Sequence, residues 1–561
     1  MSSLIQDSFI FFAKHMVLAF VVFVVVWAVL DRWGPSRRGL DGLSPVFGRR
    51  LAVGMSLVVL VIFALIGGWY LTLDGFAGEV EPVVSSLSWL VQNGHPLYHE
   101  IEAAQRYSVL YGPSVFLTNG LFLQVLGPSL FSAKLASFFG VLGCLFLFHA
   151  ALARSSRDWV ALLVTSLAAL YFWSQGFAVY LVRPDALLLF SVGLALFTAV
   201  KTRRVIALVT VAVMLGFAVN LKVHAVVYFF PVLAILGDRF GWRRVLLTVA
   251  GSVVVILAPF VLHPQVSALN YLEWLRNAID HGLVTETVSA TLQFAACLLL
   301  PLGALLLISP IRAQHVKRHR VVLASLAPTY VLTLILAAKP GAGLVHLLPL
   351  IPTTLYLVGV ILRDLVDLHP WVPASHPRFS LRGILVALFL AALLSGTVNV
   401  YRAVRLVDWQ VQQAPNLAGD IRGIMEQYPD LTLGMACGGE NNSFFCTWLR
   451  PLLVFANHPL VLEPIAVMEC QLTGKEMPQE IYQALENGVV SLWLVPRDKQ
   501  PFAKLNWYPP HDPVFSERFI KHFESLYSRR GQSLYFDLWF WNGLEQTGKA
   551  PGGFTGNGQD Q

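Results

Sequence analysis

Apolar runs of about 18 residues or more recur along this chain, and a run of that length can cross the ~30 Å hydrocarbon core as a helix. Inside hydrocarbon a segment must satisfy its own backbone polar groups, which only helices and closed barrels do. Twelve spans are expected, at 9–30, 51–71, 131–153, 158–177, 186–200, 205–221, 223–237, 245–262, 290–309, 321–337, 343–361 and 383–400. Charged residues make up 13% of the 561, against about 25% in an ordinary soluble domain. The expected fold class is therefore mainly α, a polytopic membrane helical bundle. The first run continues too directly into basic residues to read as a cleaved signal peptide.

The net charge of +7 is not a nucleic-acid footprint, because the cations are scattered between spans instead of gathered on one face. They set orientation, since short cytoplasmic loops accumulate Lys and Arg. Arg32, Arg37, Arg38, Arg49 and Arg50 share one loop, and Arg154 with Arg157, Lys201 with Arg203 and Arg204, and Arg239 with Arg243 and Arg244 follow in others. The intervening loops hold mostly single cations: Arg106, Arg183, Lys222, Arg276 and Lys339. Breaking 205–237 at Asn220-Leu221-Lys222 keeps the alternation intact. Both termini and the loop 72–130 then face outside, in the periplasm or exterior of an inner (plasma) membrane.

Four regions follow. Residues 1–50 hold an additional N-terminal span and a basic cytoplasmic loop, and 51–402 a transmembrane domain whose outside loop is 72–130. Within that loop Val83, Val84, Leu87, Leu90 and Val91 recur at helical spacing up to Asn93-Gly94, predicting an amphipathic helix. A second apolar stretch, 114–126, is short and polar-flanked. Both are expected to lie along the membrane surface; a spanning 114–126 would reverse every later loop and break the charge pattern. After 402 the composition changes, and strand-like runs at 431–436, 489–495 and 533–540 alternate with helical stretches at 417–428 and 478–487. A small outside α/β domain over 403–545 is predicted, followed by a Gly-rich polar tail, 546–561, with the composition of disorder. Cys144 and Cys297 fall in spans as packing residues, while an oxidising compartment would permit a Cys437–Cys446 bridge.

Polar residues on the outside-facing turns are the candidates for chemistry, because ionisable groups at membrane depth usually face a protein interior or a wet cavity. The carboxylates Asp74, Glu79 and Glu81 come from LTLDGFAGEVEP, Arg183 and Asp185 from VRPD, Asn220, Lys222 and His224 from FAVNLKVHAVV, and Lys339 and His346 from KPGAGLVHLLPLIP. Acids in one loop and isolated cations from several turns fit a site where carboxylates handle a nucleophile and cations hold a phosphate. Each has a structural alternative. Arg183 and Asp185 can pair to fix a helix end, Lys222 can snorkel, His346 can pack in the core, and Lys339 can be a solvated loop charge. Glu81 precedes Pro82, which favours an extended Glu81 and a helix starting at the proline, so capping alone would account for it. CxxC and HExxH spacings are absent from the sequence.

The acidic first outside loop, then WLVQNGHPLY, then YSVLYGPSVFLTNGLFLQVLGPSLFSAKLASFFGVLG, resembles the membrane glycosyltransferases of the GT-C superfamily. The similarity is to the family 39-like group that includes protein mannosyltransferases and the lipid A aminoarabinose transferase. It spans roughly residues 70–360, including the Gly94–Tyr98 turn and Tyr111-Gly112-Pro113. Two departures stand out: Glu79-Val80-Glu81 replaces the group's adjacent Asp-Glu pair, and one span precedes the usual first.

The resemblance implies transfer of a sugar from a polyprenyl-phosphate donor to an outside acceptor, whether glycolipid, polysaccharide or protein. A carboxylate would be the general base, with Glu81 preferred, then Glu79, then Asp74. Arg183, Lys222 and Lys339 would hold the donor phosphate with His346, and Asp185, Tyr98 and Tyr111 would support them. Most such proteins work without a nucleotide or bound metal; a divalent cation between Glu79, Glu81 and phosphate is the metal alternative. The rival classes are a transporter or lipid flippase, which also places charges in broken helices, and a catalytically silent glycolipid-binding relative.

Overall fold

A computed structural model describes Phe11 and residues 14–33, 45–104, 110–155, 158–309, 311–368, 381–438, 446–507 and 511–547. Each of the twelve expected runs overlaps helix among the described residues. Eight helices are long and apolar enough to cross a membrane: Gly48–Thr72, Leu130–Leu152, Pro184–Lys201, Val223–Phe240, Trp242–Leu262, Thr287–Leu307, Arg320–Ala337 and Gly383–Gln427. The other expected runs correspond to Met16–Trp33, Trp159–Trp173, Arg204–Val219 and Leu350–Leu368. The protein is a multi-pass membrane protein whose outward faces are themselves apolar. On Trp242–Leu262, for example, Leu246, Leu247, Val254, Val261 and Leu262 are all at least 70% exposed. Lipid is no less apolar than leucine, so helix association rests on close packing. Gly140 brings Leu130–Leu152 against the backbone of Ala186, and Gly193 sits on Cys144. Deeper in, Phe63, Phe172, Trp173 and Tyr180 cluster, with the Tyr180 hydroxyl donating to the Phe63 carbonyl at 2.9 Å.

The expected break at 220–222 is present. Arg204–Val219 ends on Asn220, a 3₁₀ turn covers Val223–Phe229, and Phe230–Phe240 resumes the α-helix. The Asn220 amide donates to the Val255 and Ile256 carbonyls at 3.0 and 3.1 Å. The carbonyls freed by the break accept from the Tyr111-Gly112-Pro113 turn: Gly112 N–H bonds Leu221 O at 3.1 Å and Ser114 N–H bonds Asn220 O at 3.0 Å. A β-carbon on Gly112 would collide with the Asn220 backbone. Gly112→Ala is therefore expected to cost about 1–3 kcal/mol, the usual penalty of overpacking, read as a lower Tm of the detergent-solubilised protein. The run 343–361 is likewise divided, into a 3₁₀ turn Gly343–Leu347 and the helix Leu350–Leu368.

Two expectations are corrected. The loop helix starts at Val80, so Glu81 is helical, not extended before a helix that opens at Pro82. That helix, Val80–Gln92, is covered by protein on nearly every side. It packs on Pro113–Leu126 and on Pro451–Phe455 of the C-terminal domain, where Trp89 meets Phe455 edge-on at 6.2 Å. The second concerns the boundary at 402/403, which falls inside one continuous helix, Leu381–Gln427, of 47 residues. Its far end grips the C-terminal domain: Asp420 accepts from the Ser533 hydroxyl at 2.7 Å and from Tyr535 N–H at 2.9 Å, and Tyr535 donates to Gln413 at 2.6 Å.

The C-terminal domain carries a four-stranded sheet of β1 (Leu433–Met435), β2 (Leu492–Pro496), β3 (Tyr527–Gln532) and β4 (Phe536–Trp541), in the order β1-β2-β4-β3. The β1–β2 pair is parallel and the others antiparallel. Three strands coincide with the expected runs. β3 (YSRRGQ) was not expected, being polar and irregular, with a register shift between Arg529 and Gly531. Phe502, Phe515, Phe519 and Phe523 fill the space beneath it with Trp493. The tail and the Cys446 side chain lie outside the described residues, and with them the expected Cys437–Cys446 bridge.

Candidate active site

Arg183 and Lys201 mark the two ends of one helix, Pro184–Lys201, and the chemistry gathers at the Arg183 end. At the other end Lys201, Arg154, Asp158, Arg363 and Asp367 tie loops together. The segment that leads to Arg183 is held by Glu81. This carboxylate is fully buried, and four donors occupy it: Tyr70 OH at 2.6 Å and Val182 N–H at 2.8 Å on Oε1, and Ala77 and Gly78 N–H, each at 2.9 Å, on Oε2. Burial pushes the Glu81 carboxyl above its usual range, while Tyr70, Val182, Lys134 and Ala77 pull it back. Lys134 in turn donates to the Tyr70 and Leu73 carbonyls at 3.1 and 2.7 Å, satisfying the end of the first long span. Glu81 thus fastens the loop 73–78 to the turn before Arg183.

Glu79 differs. It sits at the N-terminus of the same helix, half-buried, and it makes no hydrogen bond or ion pair among the described residues. Asp74 is exposed and equally free. Arg183 lies in the field of Tyr111, Asp185, Glu79 and Glu81, so the free carboxylate and the guanidinium share one neighbourhood. Asp185 bridges two cations, with Arg183 Nε 3.2 Å from Oδ2 and Lys222 Nζ 2.6 Å from Oδ1. The triad carries a net charge of +1 in a nearly closed setting, Asp185 and Lys222 having 1% and 4% of their side-chain surface exposed. Lys222 also lies 5.8 Å from the Tyr111 ring centre. Tyr98 donates to the Tyr111 carbonyl at 2.7 Å, and the helix Ala268–Ile279 braces that loop through Asn270 on Tyr98 O and Trp274 on His99 O.

His346 stacks on His224 with ring centres 4.9 Å apart, next to Lys222. His346 Nδ1 and His224 Nε2 are buried and have no hydrogen-bond partner among the described residues. Lys339 is not joined to this group: its ammonium caps Ala268–Ile279, donating to Ala278 O and Ile279 O at 3.2 Å each. Sequence reasoning missed Tyr70 and Lys134. A lysine inside the run FSAKLASFFG was the available signal, and it proves to be a helix-end cap.

Neither a protein-family description nor a curated protein sequence matches the chain. Solved structures do. ArnT from Cupriavidus metallidurans bound to undecaprenyl phosphate superposes with a TM-score of 0.52 at 14% identity, covering 87% of this chain and 98% of that one. Its apo form gives 0.50 with the same identity and coverage. The archaeal oligosaccharyltransferase AglB from Archaeoglobus fulgidus, in complex with an inhibitory peptide and a dolichol-phosphate, gives 0.41 at 11% identity, over 79% of this chain and 69% of that one. The chain thus shares the fold of ArnT. The likeness extends over nearly the whole length of ArnT.

Proposed function

We propose that this protein is a membrane glycosyltransferase that takes a sugar from a polyprenyl-phosphate donor and attaches it to an acceptor outside the cytoplasm. The observation that carries this reading is an unpaired carboxylate, Glu79, in the electrostatic field of Arg183, whose Asp185 and Lys222 partners are buried, at one end of a GT-C bundle. The ArnT structure it resembles holds undecaprenyl phosphate, a lipid whose tail can stay in hydrocarbon while its phosphate meets cations at the rim. The positive-inside pattern supports an Arg183 end that faces away from the cytoplasm.

The base is reassigned from Glu81 to Glu79. Both Glu81 oxygens already accept from buried donors, so taking a proton there would break bonds that hold the loop. Glu79 is free to accept. The acceptor hydroxyl attacks the anomeric carbon, Glu79 takes its proton, and the bond from carbon to phosphate oxygen breaks with its electron pair leaving on phosphate. Arg183 and Lys222 stabilise the charge that gathers there, with Asp185 fixing their positions, and the His346 and His224 rings offer unpaired nitrogens nearby. Lys339 is left out, since it caps a helix. Glu79 and Glu81 do not fit a divalent cation between them, because the Glu81 oxygens are turned onto four protein donors; no step is routed through a metal.

Lys222→Ala and Arg183→Ala are each expected to weaken binding of undecaprenyl phosphate by about 10–100-fold, the loss of one charge-assisted contact of about 1.5–3 kcal/mol. Titration of protein in nanodiscs measures this. Unchanged affinity in both variants would remove the phosphate-binding role.

A further inference from the structure

The helix Pro464–Leu472 of the C-terminal domain carries a carboxyl that the reading above does not use, Glu469. Cys470 on this helix packs with Ile101, Trp274 and Leu110, the last being the neighbour of Tyr111. At the helix end, Thr473 donates to Asn277 at 2.6 Å. The helix is thus locked to the membrane part of the molecule from two directions. Glu469 Oε2 is closed to solvent and has no hydrogen-bond partner among the described residues. A buried polar atom without a partner calls for one. Tyr111, next to Leu110, lies in the joint field of Arg183, Asp185, Glu469 and Glu79.

We propose that Glu469 and the Tyr111 hydroxyl form the acceptor subsite, hydrogen-bonding hydroxyl groups of a carbohydrate acceptor beside Glu79. This rests on the glycosyltransferase reading above. Burial, reinforced by the Glu463 carboxyl, pushes Glu469 up to about 8, so at neutral pH it is a neutral acid able both to donate and to accept. Burial likewise pushes Tyr111 up to about 12, so it stays a phenol. Two neutral groups of this kind suit an uncharged sugar face. Glu463 is not available for the same work, since Arg450 pairs with it at 2.7 Å and it caps Ile465 at 2.9 Å.

The test uses the full-length protein in two readouts. In a deletion strain complemented with each variant, at protein levels matched by immunoblot, the glycan product is quantified by mass spectrometry. In nanodiscs, affinity for undecaprenyl phosphate is titrated. Glu469→Ala should lower product at least 10-fold with lipid affinity within about twofold of wild type. Glu469→Gln, a neutral hydrogen-bonding mimic, should stay within about threefold of wild type in both. Full product from Glu469→Ala overturns the proposal. So does an equal loss of product in Glu469→Gln, which would mean that an ionised carboxylate is needed, and so does loss of lipid affinity in Glu469→Ala, which would make the residue structural. A wild-type protein that neither binds the lipid nor changes the glycan would instead sink the glycosyltransferase reading itself.

Discussion

Glu79→Gln is expected to lower sugar transfer by about 10²–10⁴-fold, the range that a positioned general base contributes, with undecaprenyl phosphate affinity and Tm close to wild type. The reason is its isolation. Glu79 is half-buried and unpaired among the described residues, so replacing its carboxylate by an amide removes a proton acceptor and leaves no donor stranded. Asp74→Gln, on an exposed residue of the same loop, serves as the matched control and should retain most activity. Product formation from a radiolabelled polyprenyl-phosphate sugar, measured alongside lipid titration, separates loss of chemistry from loss of binding.

Glu81 is expected to behave in the opposite way. Glu81→Ala strands Tyr70 OH and the Ala77, Gly78 and Val182 amides in a closed setting. Each buried donor left unpaired costs about 1–3 kcal/mol, and relaxation of the loop would recover part of the total. A loss of about 3–5 kcal/mol is expected, comparable to removing one partner of a buried charged pair. The variant should therefore appear as a sharply lowered Tm or poor yield. Glu81→Gln keeps one accepting oxygen but turns an NH₂ toward the remaining donors, so it should be intermediate in Tm. Whatever fraction of Glu81→Gln folds should retain transfer, since in the proposed mechanism Glu81 holds the loop and the turn before Arg183 and Glu79 is the base. A Glu81→Gln protein with wild-type Tm and no transfer would return the base to Glu81.

Why the two acids part company was hidden in the sequence. The twelve apolar runs, the break at 220–222 and three of the four strands could be read there because each is a local pattern of hydropathy or turn chemistry. The preference for Glu81 rested on Pro82, which does favour a helix start nearby. What decides its role is a socket of four donors, and three of them are backbone amides whose direction no side-chain pattern records. Val182 reaches Glu81 only because the turn before Arg183 folds back over the first span. Lys339 misled for the same reason: a lysine in a Pro/Gly turn looks alike whether it faces a ligand or the end of another helix. The burial of Val80–Gln92 was equally out of reach, since it depends on Pro451–Phe455 arriving from the far end of the chain. The boundary at 402/403 was misplaced because the residues become polar where the helix leaves the apolar layer, while the helix itself continues.

The most direct measurement is transfer of a labelled sugar from a polyprenyl-phosphate donor to envelope acceptor by the purified protein in nanodiscs, with Glu79→Gln and Glu81→Gln in parallel. The account predicts a new glycosidic bond with wild type, a product at least 100-fold lower with Glu79→Gln, and substantial product per folded molecule with Glu81→Gln. Equal product from Glu79→Gln and wild type, or movement of intact lipid across a liposome bilayer with no glycosidic bond formed, would contradict it.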